Sequence, residues 1–165
     1  MTMNRVMVMP SAGWRTEMGL DTSHNAWHGA YSAFARWRNE IANLIGVPLE
    51  LMEGFFSPAH SNAMALAEFA GENSKALREL VGRNCPIKWE ILKPDPLLTL
   101  LSHSDCDGEI SPEDCAKIAD RLEELMSKLP NGEAGGHIGN WRDKTAQFIA
   151  GCRAAAEAGE PLDFH

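Results

Sequence analysis

The sequence lacks the motifs by which many enzymes and membrane proteins are identified. It contains no GxSxG, no Walker phosphate loop, no GxGxxG after a strand and no HExxH. No apolar run approaches the length that spans a membrane, and the first ten residues are too weakly apolar for a signal peptide. These absences favour a binding protein over an enzyme and predict no membrane association.

Cysteine pairs with metal or redox spacing are also missing. The four cysteines, Cys85, Cys106, Cys115 and Cys152, form no CxxC motif. Without a signal peptide, this pattern predicts reduced thiols and a cytoplasmic protein. Cys115 and Cys152 fall at helical core spacing, which is typical of small buried side chains.

Positive charge is scarce. The chain of 165 residues has 15 lysines and arginines against 23 acidic residues, a net charge of -8. A phosphate backbone would be repelled, so we expect no general nucleic-acid binding. The hydrophobic fraction of 44% and charged fraction of 23% fit one globular domain over residues 1–165.

Apolar periodicity predicts a mainly α fold, an α+β arrangement with a minor β element. The clearest helix starts at Ser111, a favoured N-cap residue, with Pro112 at the first helical position. Short strands are expected over 5–9 and 87–92. Further helices are expected over about 27–45, 61–70, 74–81, 96–101 and 140–158.

The most informative stretch is the acidic loop, residues 102–111, which places acids, a histidine and a cysteine around one glycine. A helix, a twelve-residue loop and a second helix form the layout of an EF-hand calcium site, whose glycine stands at position 6. With Gly108 there, the ligand positions fall as follows. Positions 1, 3 and 5 are taken by His103, Asp105 and Asp107. Positions 7, 9 and 12 are taken by Glu109 (through its carbonyl), Ser111 and Asp114.

Two departures weaken this calcium hypothesis. A neutral imidazole such as that of His103 is a poor calcium ligand, and Asp114 is shorter than the usual glutamate. A zinc or manganese site is the alternative metal hypothesis, with zinc ligands from His103, Asp105, Cys106 and Cys115. A structural loop that binds no cofactor is a third interpretation, since Asp-Gly pairs form turns and acids stabilise helix N-termini.

A second group of candidate ligand-binding residues lies on and before the first long helix. His24, His28 and Tyr31 cluster at its start, and could serve a metal site or a general base. Arg36 and Arg38 flank an apolar position and could hold a phosphate or carboxylate bidentately. The alternative for these arginines is a solvated helix face, with Arg36 paired to Glu40.

Two strings in this chain carry a resemblance to other proteins. The first is Met18 to Asp21, ahead of the aromatic and arginine-bearing segment 31–38, and the second is Leu100 to Glu109, ahead of a Pro-Glu-Asp-Cys helix. With the closing segment 159–164, the chain resembles short, uncharacterised phage and bacterial proteins that carry an HSDCDGE-type loop, over about 18–46 and 97–164. The resemblance implies a small cytoplasmic protein, often phage-borne, and an accessory or counter-defence role, with no catalytic residue to carry over.

These observations predict a small binding protein whose acidic loop recognises a metal ion, a small ligand or a host protein. The alternative is a metal-dependent hydrolase that uses His103, Asp105 and Asp107. The sequence gives no indication of oligomeric state.

Overall fold

Five helices and two small two-stranded sheets make up the described part of this computed structural model, which covers residues 19–57, 72–80, 83–132, 134 and 138–165. The mainly α prediction is confirmed. The expected strand over 5–9 and helix over 61–70 lie outside the described residues. The strands are β1 (Gly19–Asp21), β2 (His28–Ala30), β3 (Glu109–Ile110) and β4 (Leu162–Asp163). The helices are α1 (Tyr31–Leu44), α2 (Ser74–Leu80), α3 (Leu97–Ser102), α4 (Pro112–Leu125) and α5 (Trp141–Ala158).

Short 3-10 turns connect several of these elements. They lie at Ser23–Asn25, Leu49–Leu51, Trp89–Ile91 and Met126–Lys128. Within the described ranges, no helix combines the length and the apolar character needed to cross a bilayer.

Helix α1 begins four residues later than the periodicity predicts. Residues 28–30 pair instead with β1 in an antiparallel hairpin, with Gly19 opposite Ala30 and Asp21 opposite His28. His24 therefore lies in the connecting turn and His28 in β2, so neither histidine lies on the helix that begins at Tyr31. From Tyr31 onward the predicted apolar face is present, and it buries Phe34, Trp37 and Ile41.

Helices α4 and α5 form the most extensive helix pair, and their ends follow the expected capping rules. The Ser111 hydroxyl accepts a hydrogen bond from the Asp114 amide at 3.2 Å, which confirms the predicted N-cap. Asn140 caps α5 in the same way, accepting from the Arg142 amide at 2.9 Å. Helix α5 ends at Gly159, whose φ of 66° is the left-handed conformation that glycine adopts readily.

An aromatic cluster joins α1, the hairpin and α5 into one core. The Trp27 ring lies 5.0 Å from that of Phe34, and Trp37 lies 4.8 Å from Phe148, centroid to centroid. The Trp37 indole donates to the Thr145 hydroxyl at 2.9 Å, so its polar atom is satisfied inside the core. The core is continuous from Leu20 to the C-terminal strand.

The C-terminal segment holds the acidic loop against the N-terminal hairpin. Strand β4 pairs with β3, placing Ile110 opposite Leu162. One residue on, the Phe164 amide donates to the Gly108 carbonyl at 2.9 Å. His165 and Asp21 then exchange two backbone hydrogen bonds of 2.9 Å. The loop is thus fixed by pairing partners far away in the sequence.

The strand expected over 87–92 does not form. Only Ile87 makes a bridge, parallel to Met52, and residues Trp89–Ile91 turn into a 3-10 helix. The Trp89 indole donates to the Glu53 carbonyl at 3.0 Å, and the Glu53 amide donates to the Ile87 carbonyl at 2.8 Å. These bonds fix the backbone of the 53–55 turn, which borders a pocket beside Arg38.

Candidate functional site

His103 is packed into the acidic loop. Its Nδ1 lies 2.6 Å from the Ser104 carbonyl oxygen and its Nε2 lies 3.2 Å from the Glu109 carbonyl oxygen. The ring also stacks on Phe164, with 4.3 Å between centroids. Gly108 has a φ of +93°, and a Cβ built there would lie 3.3 Å from the His103 ring. The loop glycine is therefore needed both for its backbone conformation and for its lack of a side chain.

The residues expected to bind calcium serve the loop's own structure in several cases. The Glu109 carbonyl faces the His103 ring, and the Ser111 hydroxyl caps α4. Across the described ranges, no three His, Cys, Asp or Glu side chains come together as a group that could hold a metal ion. The calcium hypothesis stays a prediction without geometric support.

The residues of the alternative zinc set are divided between two environments. Cys106 is exposed in the loop, where its sulfur lies 3.4 Å from the Ser104 hydroxyl. Cys115 is buried on α4, where its thiol donates to the Ile110 carbonyl at 3.7 Å. The Cys115 thiol thus belongs to the helix interface, as its periodicity predicts.

Arg38 joins helix α1 to the acidic loop. Its Nη1 donates to the His103 carbonyl at 2.6 Å and, more weakly, to the Leu101 carbonyl at 3.4 Å. The guanidinium carbon lies 4.6 Å from the Phe34 ring centroid and 5.3 Å from that of Phe55. These contacts are cation–π interactions with two rings, and they leave Arg38 only 2% exposed.

The charge of Arg38 is incompletely compensated. Within the described residues it forms no ion pair, and its buried Nε has no hydrogen-bond partner. Burial lowers the pKa of its guanidinium, and the negative charge of Asp105 partly opposes that effect. Because arginine remains protonated in proteins, the site contains a buried positive charge. Burial of an ion costs several kcal/mol unless an opposite charge offsets it.

A pocket of about 310 Å³ lies beside this guanidinium, and we call it the Arg38 pocket. Helix α1 contributes Arg38, the turn after the Leu49–Leu51 helix contributes Glu53, Gly54 and Phe55, and the acidic loop contributes residues 102–105. Its walls therefore combine one buried cation, one aromatic ring and two carboxylates. The structure brings together Arg38, His103 and Asp105, which the sequence assigned to two separate groups.

A larger pocket of about 360 Å³ at the C-terminal end of α1 has a different electrostatic character. Arg121 is paired there with Asp95 at 3.1 Å, and Lys93 with Glu72 at 3.1 Å. These charges are satisfied within the protein. The Arg38 pocket is the stronger candidate because its buried cation has no such partner among the residues that the structure describes.

The remaining predicted ligand residues lie away from the Arg38 pocket. His24 pairs with Glu160 at 3.1 Å, and His28 forms a short contact with Asp21 on the exposed hairpin. Tyr31 is half-buried at the start of α1. Arg36 is exposed and donates to the Ala134 carbonyl at 3.0 Å.

Sequence reasoning missed Glu53, Gly54 and Phe55 as parts of the site. Glu53 is one of two acids in a largely apolar connector, a weak signal that gives no indication of its partner. Its position depends on the backbone bonds to Ile87 and Trp89, more than thirty residues away in the chain.

Comparison with known proteins gives no assignment. No protein-family model matches the chain, and neither a curated protein nor a solved structure matches it. The resemblance to the phage and bacterial family, with the counter-defence role it implies, stays a prediction.

Proposed function

We propose that this protein binds a small molecule in the Arg38 pocket through an anionic group, a carboxylate or a phosphate. The proposal rests on one observation: a buried guanidinium lines a pocket and has no ion pair within the described residues. An arginine offers planar donors that match the oxygens of carboxylates and phosphates. A bound anion would offset the cost of burying Arg38.

The size of the pocket supports a small ligand. Its volume of about 310 Å³ is at the lower end of the range typical of small-molecule sites. Phe55 supplies apolar surface, and the loop residues supply polar groups. We assign the acidic loop the role of a wall that is already in place before the ligand binds.

The state of the cysteines bears on the cellular compartment in which this binding protein would act. All four cysteines are free thiols, as is usual in a reducing compartment, so we propose a cytoplasmic protein. The metal-dependent hydrolase and the binding of a host protein stay alternative predictions.

Thermal unfolding in the presence of small carboxylates and inorganic phosphate tests this proposal. A ligand present at one hundred times its Kd stabilises the folded state by about 2.7 kcal/mol. For a chain of this size, that corresponds to a rise in Tm of roughly 5–10 °C. Arg38→Lys keeps the charge but loses the planar fork, so it should abolish most of the rise.

Arg36→Lys is the matched control, because Arg36 lies on the same helix but is exposed. It should leave the ligand-induced rise unchanged. If no compound with a carboxylate group, amino acids included, and no phosphate raises Tm, or if the two variants respond alike, the proposal is wrong.

A further inference from the structure

We infer that the ligand of the Arg38 pocket is a small zwitterion of the α-amino-acid type; this inference rests on the proposed function. The pocket has two electrostatic ends. Arg38 supplies one buried positive charge, while Glu53 and Asp105 supply two negative charges among the other lining residues. A ligand with a carboxylate at one end and an ammonium group near it matches both signs at once.

The two carboxylates stand on backbone that is held in place. The Glu53 amide and carbonyl are both hydrogen-bonded, to Ile87 and to Trp89. Asp105 follows His103, whose carbonyl accepts from Arg38 and whose ring packs on Phe164. The backbone that carries these charges is therefore held in place before a ligand binds, which reduces the entropy lost on binding.

Electrostatics argue against ligands of a single sign. A phosphate would gain from Arg38 but would be repelled by Glu53 and Asp105. A simple amine would gain from the two acids but would be repelled by Arg38. A ligand charge that faces a lining charge of the same sign opposes binding. A lining with both signs of charge therefore selects for a ligand that carries both.

The volume fits this ligand class. At about 30 Å³ for each water-sized unit, a pocket of about 310 Å³ holds roughly ten non-hydrogen atoms. Amino acids with short aliphatic side chains are of that size or smaller. The Phe55 ring offers an apolar surface for such a side chain.

Calorimetric titration with matched pairs of compounds tests the inference. The zwitterions are L-alanine, L-norvaline and L-leucine, and their partners without the amino group are propanoate, pentanoate and 4-methylpentanoate. Pentylamine supplies the ammonium group alone, and inorganic phosphate supplies the anion alone. We expect at least one zwitterion to bind tenfold or more tightly than its partner, and pentylamine not to bind.

Substitutions of the two lining acids test whether they cause the difference in affinity between a zwitterion and its carboxylate partner. Glu53→Gln combined with Asp105→Asn should remove the advantage of the zwitterion and should leave carboxylate binding equal or tighter. Glu50→Gln combined with Asp107→Asn is the matched control, because both residues are exposed and neither lines the Arg38 pocket. That control should retain the tenfold difference.

Two results would overturn the inference in distinguishable ways. If carboxylates or phosphate bind as tightly as the zwitterions, the inference fails and the proposed function stands. If none of the compounds binds, both fail.

Discussion

Substitution of Gly151 by alanine tests how the N-terminal hairpin is seated on helix α5. Gly151 is buried on α5, directly beneath Ala26. A Cβ built at Gly151 would lie 2.5 Å from the Ala26 Cα and 2.8 Å from its amide nitrogen, and closer still to its Cβ. Carbon atoms in favourable contact are about 3.5–4.0 Å apart, so the turn would have to move by about 1 Å.

Two contributions of opposite sign determine how Gly151→Ala changes the free energy of unfolding. Alanine is about 0.8–1.0 kcal/mol more favourable than glycine inside a helix. Overpacking a rigid interface costs about 1–3 kcal/mol, or more where backbone must move. Because the clash here involves backbone atoms of Ala26, we expect Gly151→Ala to lower the free energy of unfolding by about 1–3 kcal/mol.

Equilibrium urea unfolding, followed by tryptophan fluorescence, measures this difference. Ala154→Gly is the control, since Ala154 is exposed on the same helix and reports the intrinsic helix term alone. Adding Ala26→Gly to Gly151→Ala should recover only part of the loss, because the Cα and amide contacts remain. If Gly151→Ala instead stabilises the protein by the amount that Ala154→Gly costs, the packing of the hairpin on α5 is refuted.

Three further predictions concern the loop, its helix and the thiols. Ser111→Ala removes the cap of α4 and should lower the free energy of unfolding by about 1 kcal/mol, whereas Ser111→Asn should cost less. Gly108→Ala places a side chain at a φ of +93° and against the His103 ring, so urea unfolding should show a loss of about 1–3 kcal/mol. The exposed thiols of Cys85 and Cys106 should react rapidly with an aromatic disulfide reagent at pH 8, and the other two only after unfolding. The neighbouring Cys115 thiol and burial raise the pKa of Cys152, so raising the pH to 9 should not speed its reaction in the folded protein.

Helix α4 was predictable because its determinants are local. Ser111 and Pro112 specify its start, and the apolar stripe that follows has helical spacing along one face. Met126 is half-buried where the α-helix becomes a 3-10 turn. The other apolar residues of the stripe are buried: Cys115, Ile118, Ala119, Leu122, Leu125 and Leu129. The start of α1 and the expected strand over 87–92 were wrong because distant pairing, not local pattern, determines those segments.

The candidate site was predictable only in part. Arg38 was a candidate for anion binding, yet a helix position beside Trp37 can equally be solvated. Its burial depends on Phe55 and on the acidic loop, which covers it from more than sixty residues further along the chain. No local pattern encodes that approach, so the sequence left Arg38 and Asp105 in separate hypotheses.

The NMR resonance of the Arg38 Nε–H group tests most directly whether a ligand binds in the Arg38 pocket. In a ¹⁵N–¹H spectrum, this buried group should yield a signal distinct from those of exposed arginines such as Arg36. On titration with L-norvaline, we expect saturable shifts of the Arg38 signal and of the Gly54 amide, with no change at Arg36. Shifts that are absent at Arg38, or equal at both arginines, would contradict the assignment of this pocket as the binding site.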